Sequence, residues 1–147
     1  MIFALAVFTF VQTTTARAAD HELASQPEVV RMFWQLLQQA SYGRSDVEEA
    51  AFIVKTQSGE LSCVLWPSAG QPNSGRWIGD LPPDTVAIAH THPNRLPVPS
   101  AVDMHTAATI GIPVYVVTNV QIYKTSGSAP ELVHRGAWRP EGAAERQ

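Results

Sequence analysis

Between Ser25 and Gly43 the apolar residues Val29, Val30, Phe33, Trp34, Leu36 and Leu37 recur at helical intervals, with glutamines and charged residues between them. This period predicts an amphipathic helix laid on a core, with Ser25 as its cap, Pro27 in its first turn and Gly43 as its stop. The pattern then changes. "VEEAAFIVKT" and "LSCVLWP" are apolar runs of strand length on either side of "QSGE", and together they predict a β-hairpin. "PSAGQPNSGRWIGDLPPD" has the Pro, Gly, Ser and Asn content of a loop, with Trp77 and Ile78 as a short strand or an anchor inside it. "TVAIAH" is a short β-branched run and predicts a buried strand. "SAVDMHTAATIG" returns to helical spacing, capped by Ser100 and stopped by Gly111. "PVYVVTN" and "VQIYKT" are two further strands that meet near Thr118 and Asn119, and "ELVHRGAW" is a last one. No internal repeat is visible. The order of helix, hairpin, loop, strand, helix and strands predicts an α+β domain with helices packed on a central sheet.

Length and composition narrow this further. A chain of 147 residues, 45% hydrophobic and 16% charged, suits one globular domain and not two. The net charge is −3 and the Lys and Arg residues are scattered singly, so the basic footprint of a nucleic-acid surface is missing and no such partner is expected. The first residues, "MIFALAVFTFVQTTTARAAD", have an apolar run from Ile2 to Val11, a polar spacer, and Ala16 and Ala18 around Arg17. That outline predicts a signal peptide over residues 1–18, leaving a secreted or periplasmic domain over residues 19–147. If the segment is not a signal, the same domain stays in the cytoplasm. The apolar run is too short to span a bilayer. Cys63 is the only cysteine, so an intramolecular disulfide is impossible and the domain must rest on its core. Cys63 itself reads as a small buried hydrophobe.

The chemistry concentrates in "AIAHTHPNRLPVPSAVD". Residues i and i+2 of a strand share a face, so His90 and His92 present both imidazoles in one direction. Neutral imidazole suits a divalent metal such as zinc, and solvated histidines at a strand end are the plainer alternative. Ser100 and Asp103 have the spacing of a capping box at the start of the second helix. A capping role and a site role do not exclude one another.

His-x-His, seven residues, Ser, two residues and Asp is the spacing of the JAB/MPN, or JAMM, zinc metallopeptidases, and "HTHPNRLPVPSAVD" resembles it at each defined position, including the proline after the second histidine. The resemblance implies a JAB/MPN-like, cytidine-deaminase-like domain with a mixed, mostly antiparallel sheet. It further implies that His90, His92 and Asp103 bind a catalytic zinc with an open fourth position, as hydrolytic zinc requires. Ser100 is implied as a hydrogen-bond donor to the oxyanion. The family also uses a glutamate upstream, in a Pro-x-Glu-x-x-Gly-Leu-Leu type sequence. Setting "EAAFIV" on that pattern selects Glu49 as the catalytic base, with Glu48 as the adjacent alternative on the other side of the strand. Val47 then stands where proline is common and Phe52 where glycine is common.

The activity so implied is hydrolysis of a peptide or isopeptide amide, with a peptide, isopeptide-linked or cell-wall peptide as substrate. Gly111, Ile112 and Pro113 run straight into the next strand, so a large ubiquitin-binding insertion is not expected there. A non-catalytic MPN-like partner-binding module is the alternative. Other His-x-His enzymes fit less well. Amidohydrolases need a barrel of about 250 residues, zinc deaminases need a Cys-x-x-Cys, and cupins need a glutamate soon after the pair, where Pro93 to Met104 has none. His105 is expected on the helix surface, and His21 and His134 have no partner in the sequence. The aromatics Phe33, Trp34, Trp66, Trp77, Tyr115 and Tyr123 read as core and interface residues rather than ligand platforms.

Overall fold

The β1–β2 hairpin, Ala50–Lys55 and Leu61–Leu65, closes as the Ser-Gly turn demands. Gly59 takes φ of 87°, its amide bonds Thr56 O at 2.9 Å, and Thr56 N bonds Glu60 O at 2.8 Å. This computed structural model describes residues 23–67, 77, 79–94, 96–136 and 138–140. The signal sequence expected over residues 1–18, His21 and Ile78 lie outside these residues.

The remaining strands are β3 (Thr85–Thr91), β4 (Val114–Val117), β5 (Gln121–Thr125) and β6 (Glu131–Arg135). They form one sheet in the order β2-β1-β3-β4-β5-β6. All neighbours are antiparallel except β3 and β4, which are parallel and joined through helix α2 (Ala101–Ile110). The expected α+β architecture, a mixed and mostly antiparallel sheet flanked by helices, is what is found. Among the described residues no helix is long and apolar enough to cross a membrane.

Strand alternation divides the sheet into two faces. Ala51 and Ile53 of β1, Ala87 and Ala89 of β3, and Tyr115 and Val117 of β4 point to helix α1 (Pro27–Gln39) and pack on Val29, Phe33, Leu36 and Leu37. Small residues in the middle strands admit the ring of Phe33, which lies 5.3 Å from that of Tyr115. On the opposite face Phe52, Ile88 and Val114 pack with Ala107 of α2. The two helices therefore cover opposite faces, and the functional residues lie on the α2 side.

Two helix boundaries differ from expectation. α1 is capped by Gln26, not Ser25, and Gln26 makes no side-chain cap bond, while Pro27 holds the first turn as expected. α1 also stops at Gln39, short of Gly43, because Ser41 and Tyr42 turn to φ of 51° and 57° and a short 3-10 turn, Ser41–Gly43, follows. α2 follows the sequence closely. Ser100 and Asp103 form a reciprocal capping box, and Gly111 closes the helix in the left-handed conformation at φ 77°.

Candidate metal centre

β3 runs through the middle of the sheet, so its last residues are held from both sides. His90 stands opposite Ala50 of β1 and Val116 of β4, on the same face as Ile88. The small side chain of Ala50 leaves room above it. His92 lies just past the strand but continues the parallel ladder, its amide bonding Val117 O at 3.2 Å. The two imidazoles converge, with Nε2 atoms 3.1 Å apart. Both residues are buried, at 8% exposure.

The loop after β3 sets the orientation of His92. Its Nδ1 lies 2.7 Å from the carbonyl oxygen of Leu96, a partner that can only accept, so Nδ1 carries the proton and the Nε2 lone pair faces the site. The loop is pinned in turn by Asn94. Its side-chain amide donates to Tyr42 O at 2.9 Å, its Oδ1 accepts from Asn119 N at 3.3 Å, and its backbone amide donates to Gly43 O at 3.1 Å.

α2 delivers Asp103. One carboxylate oxygen, Oδ2, accepts from Ser100 N at 2.6 Å and from Ser100 Oγ at 2.7 Å, which fixes the side chain. The other, Oδ1, lies 3.3 Å from His90 Nε2, and Oδ2 lies 3.8 Å from His92 Nε2. Donor atoms about 2.0–2.1 Å from a tetrahedral zinc stand about 3.4 Å from one another, so separations of 3.1 and 3.3 Å match two edges of such a site. The chemistry of the donors fits as well. Burial, reinforced by the neighbouring His92, pushes the pKa of His90 down to about 4, against the opposing pull of Asp103. His90 is therefore neutral near pH 7, the form in which imidazole binds a metal.

The glutamate is where the structure corrects the sequence reading. Glu48, not Glu49, accompanies the histidines: Glu48 Oε1 is 4.0 Å from His92 Nε2, and Glu48, His90 and His92 form a group that could hold a metal ion. Strand parity explains it. Ala50 faces His90 and Ala51 faces α1, so Glu48 continues the first face and Glu49 the second. What Glu49 contributes is its backbone. Its amide bonds Thr91 Oγ1 at 3.0 Å and its carbonyl accepts from Thr91 N at 2.8 Å, clamping the segment beside the end of β3. A signal for this was present in the sequence. Starting the glutamate pattern one residue earlier puts Ala51, a small residue packed under α1, at the place where Phe52 had replaced the common glycine.

These groups open into a cleft of about 250 Å³, whose walls include Glu48, Ser100, Asp103 and Trp66. Trp66 departs from the expectation that it belongs only to the core. It lines this cleft, and its buried indole N–H has no hydrogen-bond partner among the described residues. Trp77 stacks against Phe52 and Trp66, at ring separations of 4.9 and 5.9 Å. His105 is exposed on α2, and His134 is exposed near Trp138. Cys63 is half-buried, and burial raises its thiol pKa, so it is no activated nucleophile.

A family model described as prokaryotic homologs of the JAB domain matches residues 48–133, more than half of the chain, beginning at Glu48 and spanning both histidines, Ser100 and Asp103. Comparison with curated proteins and with solved structures returns no match.

Proposed function

This chain belongs to the JAB-domain family, and from that premise we propose that it is an exported zinc-dependent metallopeptidase that hydrolyses a peptide or isopeptide amide bond. The observation that carries the reading is the convergence of His90, His92 and Asp103 with Glu48 beside them. His90, His92 and Asp103 are the proposed ligand set, with His90 Nε2 lying 3.1 Å from His92 Nε2 and 3.3 Å from Asp103 Oδ1. Glu48 takes the role of base that the JAB/MPN resemblance gives the upstream glutamate, and its Oε1, 4.0 Å from His92 Nε2, lies close enough to reach a water held at the site. Zinc, when bound, acidifies water toward a pKa of about 7 and polarises the scissile carbonyl. Glu48 accepts the water's proton and returns it to the departing amine. Ser100, at the cleft wall, donates its one hydroxyl proton to Asp103 Oδ2 in this structure and would turn it to the oxyanion that develops on the carbonyl.

The reading is tested by exchanging each acid for its amide. Glu48→Gln should lower kcat by a factor on the order of 10² or more while the protein keeps one zinc per chain, and Glu49→Gln should retain most of the activity. Full activity in Glu48→Gln removes the proposed base. A protein purified without chelator that carries well under one zinc per chain points to the non-catalytic module instead. Export is supported by the N-terminal pattern of apolar run, spacer and Ala-Arg-Ala. Expression in a Gram-negative host should give an extracytoplasmic product starting near residue 19, and an uncleaved cytoplasmic product would refute export. The substrate is expected to be an extracytoplasmic peptide, including cell-wall peptides.

A further inference from the structure

Beside the histidine cleft lies a second cavity of about 330 Å³, walled by Trp66, Trp77 and Leu81 on one side and by Thr106 and Ile110 of α2 on the other, over a floor of Phe52 and Ile88. The two share Trp66, Ile88 and Thr106, so they are successive parts of one groove. Val102, Thr106 and Ile110 follow one another at four-residue intervals along α2 and form its rail, from the histidine end to the aromatic end. Val102, Ile110 and Leu81 are exposed although apolar, at 72, 39 and 38%. Among the described residues lining the aromatic cavity none is charged, and the charged groups at the histidine end include the acids Glu48 and Asp103.

We infer that this groove is the substrate track, holding apolar side chains of an extended peptide beside the scissile amide. The inference rests on the peptidase reading above. The occupant is a polypeptide because the groove opens directly into the cleft of His90, His92 and Asp103, where the amide must lie. Its length follows from the helix rail. The eight steps from Val102 to Ile110 rise about 12 Å, which accommodates about three to four extended residues at about 3.3 Å each. Its selectivity follows from the walls: aromatic and aliphatic surface favours Phe, Leu and similar side chains, and the described lining of the aromatic cavity offers no cation to a carboxylate, which disfavours Asp and Glu there. A chain lying along Trp66 also brings backbone carbonyls to the wall that contains its indole N–H, which has no partner among the described residues.

The test uses the full chain loaded with zinc and carrying Glu48→Gln, titrated with two blocked tetrapeptides, Ala-Phe-Ala-Leu and the same peptide with Asp at its second and fourth positions. The apolar peptide should bind about tenfold or more tightly. Ile110→Arg and Leu81→Asp, on opposite walls and both at exposed positions, should each weaken it about fivefold or more, with zinc content serving as the check that each variant is folded. Equal affinity for the two peptides, or unchanged affinity in both variants, overturns the track. A longer fluorogenic peptide given to the unsubstituted chain separates this result from the peptidase reading. Selective binding without hydrolysis supports the groove and sinks the peptidase, and hydrolysis that ignores Phe and Leu does the reverse.

Discussion

Burial decides the protonation state of His90, and the consequence is measurable. In the unfolded chain the imidazole titrates at 6.5, and in the fold it stays neutral down to about 4. Between these values the unfolded state binds more protons, so stability contributed by the neutral side chain is complete above pH 6.5 and is lost as pH falls toward 4. The shift corresponds to about 3 kcal/mol. Chelator-treated protein should lose stability of this order between pH 6.5 and 4 in denaturant titrations, and His90→Gln should flatten that slope; an equal slope in the variant contradicts the assignment. Ser100 permits a second prediction at the same scale, since its hydroxyl both caps α2 and faces the cleft. Ser100→Ala should cost about 1 kcal/mol of stability and Ser100→Gly only a few tenths, because glycine is tolerated at an N-cap. Both should lower kcat alike, by a factor on the order of 10², if the hydroxyl stabilises the oxyanion. Activity losses that instead follow the stability losses assign Ser100 to the cap alone.

At the scale of elements, the candidate metal centre depends on three pieces of backbone meeting: the end of β3, the start of α2 and the segment leading into β1. The last two are rigid for different reasons, the capping box for α2 and the Thr91 clamp for residues 48 and 49. The loop between His92 and Ser100 is held by Asn94 against the turn at Tyr42 and Gly43. Gly43 has φ of 72°, and a Cβ there would collide with the Asn94 side chain. Gly43→Ala should therefore displace Asn94 and, through the loop, the Leu96 carbonyl that orients His92. The expected result is a stability loss of about 1–3 kcal/mol together with weaker zinc binding, by about tenfold, since loss of such supporting partners typically costs 10–100-fold in metal affinity. Calorimetric titration with zinc checks this. Loss of stability with unchanged zinc affinity shows that the turn does not position His92. The strands were legible from their apolar runs, and α2 from its caps Ser100 and Gly111, since of its own residues only Ala107 is buried. The end of α1 was not, because the turn at Ser41 and Tyr42 puts two non-glycine residues at positive φ, which no local pattern announces.

For the whole molecule, the proposed ligands come from the end of β3 and the start of α2 and meet only in the native state, so the metallopeptidase reading requires zinc binding and folding to be linked. Zinc at a free concentration of 100 times its Kd should add about 2.7 kcal/mol and raise Tm by on the order of 10 °C over the chelated form. A Tm indifferent to zinc and chelator argues against a site that spans the two elements. The His-x-His pair, the Ser-x-x-Asp helix start and the sheet-plus-helix plan were all determined by the sequence itself. Spacing along a strand and capping at a helix end are local rules, and they operate within a few residues. Which acid meets the histidines was a different kind of question. Glu48 and Glu49 are chemically equal neighbours, and only the pairing of Ala50 with His90 across β1 and β3 sets which face each takes. The same holds for Trp66 and Trp77, whose sequence context reads as core or loop. They become the wall of a groove because the β1–β2 hairpin and α2, distant along the chain, are brought together by long-range packing.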